Sequence, residues 1–323
     1  MSQVLVVRPS SLGDVVWALA LVDDLARARP GIAVDWIAEE AFVALPALCA
    51  GVRRVIPVAL RRWKGSPFAP TSWREAAAFR RTVATERYDA ILDLQEQVKG
   101  GLMARAARGV RHGFDRASIR EPAAAWFDDV HHAVARDLHF CLRCRRLAAA
   151  ALGVAADGPP RWRWRLPAPA SDEPRGPYVV FAHATTRDNK RWPAERWSAL
   201  ADVATRAGLD VVLPSGTPEE AGAARRIAGD RARVLRPPRL SLGALAGWLA
   251  RAHAVVGVDT GLVHLAAALG TPTLAIFMAT DPRLAGVSIA GPHARDLGGR
   301  GSVPSFDEVA AALGALLRAG PRC

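Results

Sequence analysis

Three short stretches combine residue types able to handle a phosphorylated substrate, and each sits where an apolar run gives way to a helical pattern. The first, Pro9-Ser10-Ser11-Leu12-Gly13-Asp14, follows the run QVLVVR. Gly13 permits a tight turn or the close approach of a substrate. Asp14 stands at a helix start, where a carboxylate either caps the helix or takes a proton. The second is His183-Ala184-Thr185-Thr186-Arg187-Asp188-Asn189-Lys190-Arg191-Trp192-Pro193. The hydroxyls of Thr185 and Thr186 and the ammonium of Lys190 suit a phosphate ester, though a polar capping loop has the same composition. In the third, Val258-Asp259-Thr260-Gly261-Leu262-Val263-His264, a strand runs directly into a helix whose first amides are left free by Thr260 and Gly261. That is an anion site suited to a pyrophosphate, and His264, one turn in, lies on the side that reaches the same ligand. None of these turns carries Gly-x-Gly-x-x-Gly, so hydride transfer from a dinucleotide loses its best support.

Two further clusters carry weaker signals. Cys141 and Cys144 form a Cys-x-x-Cys near His131, His132 and His139. A zinc site would need a second ligand pair, and none follows at suitable spacing, so the cysteines read as small apolar side chains packed on a helix. No Asp-x-Asp pair is placed to hold a metal. Arg61-Arg62-Trp63-Lys64 is a compact basic-aromatic patch, with Lys99, Arg111, Arg116 and Arg120 in the same half. It is either a solvated surface or the docking face of an acceptor rich in phosphate or carboxylate. Of 43 basic residues only Lys64, Lys99 and Lys190 are lysine. Where arginine is the default, a lysine marks a site wanting a compact point charge rather than a planar fork.

The elements that must position these groups alternate. Apolar runs at residues 3–8, 33–39, 53–60 and 90–95 read as strands, with Pro57 marking an edge or bend. Helical patterns cover 14–27 and 73–86 and start again near Val98, and 131–152 reads as one long helix closing this half. From Gly158 to Pro177 there are six prolines and no apolar periodicity, the composition of a linker. Alternation resumes with strands at 178–184, 210–216, 233–236, 254–259 and 273–277. Helices begin at Glu195, Pro218, Ser241 and Gly261. Ser305 and Glu308 stand in capping-box spacing and predict a last helix over 305–317. Strands separated by helices imply parallel sheets. The expected architecture is α/β: two Rossmann-like parallel-sheet domains facing a central cleft. Their bounds are 1–157 and 178–304, the linker is 158–177, and the segment 305–323 is a helix and tail packing back toward the first domain.

Composition bounds the function. The chain has 323 residues, half of them apolar and 23% charged, which suits two ordinary domains and excludes a disordered or fibrous chain. No uncharged apolar run reaches the roughly 18 residues of a spanning helix. Arg8 and Asp14 sit where a signal peptide needs its apolar core. Four cysteines make no disulfide framework. These features predict a soluble, cytoplasmic protein. The net charge is +12, and residues 51–120 alone hold 15 basic and 6 acidic side chains. Either arginine-rich composition is the cause, or the partner is anionic: a nucleic acid, a membrane surface or a phosphorylated substrate.

The same residues carry a resemblance. SSLGD near the N-terminus, VDWIAEE (34–40), RVIPVALRRWK (54–64), HATTRDNKRWP and VDTGLVHL (258–265) make the chain similar, over nearly its whole length, to the ADP-heptose:lipopolysaccharide heptosyltransferase family. The middle three segments resemble the branch that adds the first heptose of the inner core. The resemblance implies a GT-B fold, with acceptor in the N-terminal domain and ADP-sugar in the C-terminal one. The implied reaction moves L-glycero-D-manno-heptose from ADP-L-glycero-beta-D-manno-heptose to Kdo of Kdo2-lipid A with inversion. Asp14 matches the catalytic carboxylate. Thr185, Thr186 and Lys190 match donor-phosphate positions, Glu220 a ribose-binding carboxylate and Leu240 an adenine-packing methionine. Asp259, Thr260, Gly261 and His264 match the sugar and pyrophosphate cradle. Ser10, Ser11, Gly13, Arg61, Arg62, Lys64, Lys99, Arg120 and His139 match the acceptor side. No cofactor is implied as required, a divalent cation being at most stimulatory. The implied setting is the cytoplasmic face of the inner membrane, on an anionic inner-membrane surface and without nucleic acid.

Three positions depart from the family pattern. Phe277-Met278-Ala279-Thr280-Asp281-Pro282 replaces a Gly-Pro step, Glu96 stands where glycine is common, and Leu240 replaces methionine. The competing readings are a transferase using an acceptor that already bears a heptose, a nucleotide-sugar-binding protein without catalysis, and a nucleic-acid-binding protein. The last lacks any recognition-helix or stacking signature.

Overall fold

The computed structural model describes residues 2–319 and divides the chain into two compact units, one ending at Arg165 and the other starting at Leu166. The division falls inside the segment expected as a linker. Its first part is tied into the first unit: the Trp162 indole donates to the carbonyl of Val16 at 2.8 Å, and Ala50 N–H donates to that of Arg163 at 2.7 Å. Its second part is tied into the other unit, where Glu173 pairs with Arg251 at 2.7 Å.

In the first unit, β1 (Gln3–Val7) leads through α1 (Leu12–Ala18) and α2 (Ala20–Ala28) to β2 (Ala33–Glu39). After α3 (Ala44–Leu48) come β3 (Val52–Val58), α4 (Leu60–Gly65), α5 (Pro70–Val83) and β4 (Arg87–Asp93). Then follow α6 (Val98–Ala104), β5 (Arg108–Phe114), β6 (Val130–His132) and α7 (Phe140–Leu152). All strand pairs are parallel, in the order β3-β2-β1-β4-β5-β6. Strand alternation sends Leu5 and Val7 into a cluster with Phe79, Val83 and Met103, and Val4 and Val6 to the opposite face. The single long helix expected over 131–152 is instead a short edge strand, an extended stretch and α7. The sequence HHAVARD (131–137) has no apolar stripe that a helix could bury. Gly153, in the left-handed conformation (φ 61°), ends α7.

The second unit runs β7 (Tyr178–Ala182), α8 (Ala194–Arg206), β8 (Asp210–Val212), α9 (Pro218–Ala228), β9 (Val234–Leu235) and α10 (Leu242–Arg251). It continues with β10 (Ala254–Val258), α11 (Gly261–Ala268), β11 (Thr273–Phe277), α12 (Pro282–Ala285), β12 (Ala294–Gly298) and α13 (Phe306–Ala319). Its sheet is also parallel throughout, in the order β9-β8-β7-β10-β11-β12. Both units therefore share one topology, in which the strand order reverses beside the first strand. The helix expected to pack back toward the first domain instead buries Val309, Ala312 and Leu313 in the core of the second unit. Its capping box forms as predicted: Glu308 accepts from Ser305 N–H at 2.8 Å, and Ser305 Oγ accepts from Glu308 N–H at 3.2 Å. Residues 320–323 of the predicted tail lie outside the described residues. Among the described residues, no helix is long and apolar enough to cross a membrane.

Candidate active site

In open parallel sheets ligands bind beyond the carboxyl ends of the strands at the point where the order reverses. In the first unit that point lies between β1 and β4, and the loop after β1 is the one ending in Asp14. Ser11 is the N-cap of α1, and Asp14, three residues on, turns its carboxylate back to it. Asp14 Oδ2 accepts from Ser11 N–H at 3.1 Å and from Ser11 Oγ at 2.8 Å, and pairs with the Arg8 guanidinium at 2.5 Å. Oδ1 takes part in no hydrogen bond or ion pair with a described residue, and the side chain is about one-third exposed (34%). Burial pushes this carboxyl up, but the Arg8 charge and the Ser11 hydrogen bonds outweigh it and hold it below the usual carboxylate range. Asp14 is thus an ionised carboxylate with one oxygen anchored and the other open. The capping contacts use Oδ2 alone.

Arg8 was not singled out by sequence. A charged residue ending an apolar run reads as the boundary of the strand. Here it is buried, donates to the Leu94 carbonyl beyond β4 at 2.5 Å, and lies over the Phe140 ring at 4.5 Å. It ties the two strands together at the switch point and holds Asp14 in place. Glu96, on the loop after β4, has a φ of 60°, the left-handed region that glycine enters freely, and it keeps that conformation while paired with buried Arg143 at 2.6 Å.

The basic residues expected on the acceptor side divide. Lys99 is exposed near the start of α6, and its ammonium is shifted down by partial desolvation and by the charges of Arg8 and Arg61. Those three cations therefore share one region. Arg61, Lys64 and Arg120 are exposed. Arg62 is held by Glu40 at 3.1 Å and Glu75 at 2.8 Å. His139 is buried, accepting at Nδ1 from Cys141 N–H at 3.1 Å and meeting Trp17 edge-on at 5.3 Å, which makes it the cap of α7 rather than an open acceptor contact. Ser10 and Ser11 line the loop, and Gly13 is buried beneath it.

In the second unit the switch point lies between β7 and β10, and the two remaining motifs occupy it. Lys190, in a single 3-10 turn after β7, pairs with Asp259, the residue that follows β10. Thr280, beyond β11, donates to the same carboxylate, and His264 Nε2 stands 3.5 Å from its other oxygen. Burial pushes Asp259 up, but His264, Lys190 and Thr280 pull it strongly down, so it is ionised at any ordinary pH. Thr280 was missed as a partner. Only the adjacency of β10 and β11 brings it there. Thr260 caps α11 without using its side chain, and Gly261 follows, so the first turn of α11 stays open at this end of the sheet.

Glu220 sits in the first turn of α9, where Oε2 accepts from Gly216 N–H at 2.6 Å and Oε1 has no contact with a described residue. Beside it is a cavity of about 590 Å³ lined by Gly216, Thr217, Arg225, Pro237 and Arg239, with Leu240 next along the chain. Thr185 is half-buried and Thr186 exposed. Cys141 and Cys144 are fully buried, and burial pushes the Cys141 thiol up to about 12 and that of Cys144 well above its usual range, as suits packing side chains.

With this geometry, the match over residues 76–298 to the family model "Glycosyltransferase family 9 (heptosyltransferase)" is decisive. The chain belongs to glycosyltransferase family 9. Within the family it is 41% identical to lipopolysaccharide heptosyltransferase 1 of Escherichia coli K12 over 292 residues, covering 88% of this chain and 90% of that one. It is 40% identical to the Pseudomonas aeruginosa heptosyltransferase 1, covering 88% and 81%. The structure of E. coli heptosyltransferase WaaC with ADP superposes with a TM-score of 0.86 at 38% identity, covering 98% of this chain and 99% of that one. This family 9 chain is accordingly a glycosyltransferase of the two-sheet α/β, GT-B-like class.

Proposed function

We propose that the protein transfers L-glycero-D-manno-heptose from ADP-heptose to Kdo of Kdo2-lipid A, with inversion, on the cytoplasmic face of the inner membrane. The observation that carries this reading is the divided carboxylate of Asp14. Oδ1 takes the proton of the attacking Kdo hydroxyl as its oxygen bonds to the anomeric carbon. The bond from that carbon to the phosphate oxygen breaks with its electron pair, and ADP departs. Inversion follows from the single displacement.

The second unit supplies what the leaving group needs. Charge develops on a diphosphate, and Lys190, Thr185, Thr186 and the first amides of α11 are a set of donors for it. Asp259 and His264 orient that set, so no metal is required. Glu220 Oε1 is free to accept from ribose hydroxyls, and the neighbouring cavity beside Leu240 accommodates the adenine. Arg61, Lys64, Lys99 and Arg120 suit the carboxylates and phosphates of the acceptor, and the basic first half suits an anionic membrane. The likeness to curated heptosyltransferases 1, at 40–42% identity, supports the donor and the acceptor together.

ADP release from ADP-heptose tests the reading with three acceptors: none, Kdo2-lipid A, and the heptosylated product. Turnover with Kdo2-lipid A alone, yielding an α-linked heptose by NMR, is the expected result. Turnover only with the heptosylated acceptor would reassign the acceptor, and a β-linked product would remove the single displacement.

A further inference from the structure

The turn between α4 and α5 exposes large aromatic rings that no part of the described chain covers. Phe68 is 91% and Trp73 68% exposed. Of the ten tryptophans, only Trp73 and Trp126 stand in solvent to this degree. A water-facing Phe and Trp five residues apart are an energetic liability unless something apolar receives them.

The turn holds them out. Ala69 N–H and Ser72 Oγ both donate to the Ser66 carbonyl, at 3.2 and 2.9 Å, and Pro70 opens α5 at its first position. Ala69 is the N-cap, so Phe68 and Trp73 occupy the N′ and N4 positions, which lie on one side of a helix start. Both rings are thus exposed at the same helix start. The inner face of α5 is already used, with Phe79 and Val83 in the core.

The surroundings are cationic. Residues 61–81 hold Arg61, Arg62, Lys64, Arg74, Arg80 and Arg81 against one acid, Glu75, which is bound by Arg62 and Trp63. Lys64, Arg74, Arg80 and Arg81 are exposed and form no ion pair with a described residue. Apolar rings at a helix start, flanked by unpaired basic side chains, match an anionic lipid surface, where rings enter the headgroup boundary and cations meet phosphates. A second copy of this chain is the poorer occupant, because the turn would face a protein of net charge +12.

We propose that this turn is a membrane wedge: Phe68 and Trp73 insert into the boundary of an anionic bilayer while Lys64, Arg74, Arg80 and Arg81 bind lipid phosphates. The proposal rests on the reading of a membrane-borne acceptor and adds the residues that bring the enzyme to it.

Co-sedimentation tests it, using phosphatidylglycerol/phosphatidylethanolamine vesicles and pure phosphatidylcholine vesicles, all without lipopolysaccharide. The wild type is expected to partition onto the anionic vesicles and not the neutral ones. The Phe68→Ser/Trp73→Ser double variant should lose about tenfold or more of that partition. Its thermal melt and its ADP release on a delipidated Kdo oligosaccharide should stay within about twofold of wild type, and Phe68→Leu/Trp73→Phe should restore binding. Unchanged partition of the serine variant, no preference of the wild type for anionic vesicles, or a change in oligomeric state on removing the rings would each overturn the wedge. Because the vesicles carry no sugar acceptor, a failure of heptose transfer with vesicle binding intact would count against the proposed reaction and leave the wedge standing.

Discussion

Asp14 separates two roles by atom. Oδ2 is fixed by Ser11 and Arg8, and Oδ1 has no hydrogen-bond or ion-pair partner among the described residues. A carboxylate paired with a guanidinium is a weak base, and in the proposed reaction it takes a proton only as the leaving diphosphate departs. The acid limb of kcat/KM should fall below the usual carboxylate range, since Arg8 and Ser11 keep the proton off Asp14. Replacing Arg8 by Leu removes the charge that opposes burial, so the carboxyl pKa rises. The acid limb should then move up in a pH–rate profile. A limb that stays put would mean that Arg8 does not set the ionisation of Asp14. Asp14 was legible because a carboxylate beside Gly13 at a strand-to-helix turn is chemically conspicuous. Arg8 and Thr280 were not, because their partners are adjacent only once the strands are ordered.

The strands that escaped sequence reading, β5, β6 and β12, lie at or next to a sheet edge. β5, RGVRHGF, carries two arginines and a histidine, β6 is three residues long, and β12, ARDLG, has one large apolar side chain. Half-exposed strands have no continuous apolar run to reveal them, whereas β1, β7 and β10 are buried on both faces and read at once. The β5–β6 edge also hides a titratable group. Asp128 is buried behind Gly113, where an added Cβ would collide with its carboxylate, and burial pushes it up to about 7. The folded chain then keeps a proton that the unfolded chain releases, so this group's contribution to stability falls as pH rises from about 4 to 7. Asp128→Asn should flatten that slope by an amount on the order of a few kcal/mol, read from urea midpoints at several pH values. A variant whose pH dependence matches wild type would show that Asp128 is ionised in the fold. The cysteine elements make an equally plain forecast. Cys49, Cys141 and Cys144 are buried, and burial pushes the thiols of Cys49 and Cys141 to about 12 and that of Cys144 well above its usual range. In a Cys323→Ser background, native protein at pH 8 should resist a thiol-specific disulfide reagent until urea is added. Rapid stoichiometric labelling would instead make the Cys-x-x-Cys pair a reactive one.

At the scale of the molecule, one strand order is used twice, and in each unit the candidate site residues lie where that order reverses. Charge is unevenly spread: the proposed donor unit closes its cations onto Asp259, whereas the first unit leaves Arg61, Lys64, Lys99 and Arg120 in solvent for an anionic acceptor. The two-domain α/β plan and the three strand-end motifs were readable because buried parallel strands and polar turns contrast sharply. The proposed reaction turns on a proton transfer to Asp14, and the decisive measurement is there. Asp14→Asn keeps an oxygen to accept from Ser11 and so preserves the cap, but it cannot take a proton. ADP release from ADP-heptose in the presence of Kdo2-lipid A should fall by roughly 10²–10⁴-fold in kcat, with KM for ADP-heptose and the melting temperature little changed. A variant that retains more than about a tenth of wild-type kcat would contradict the account, because the proton would then have another destination.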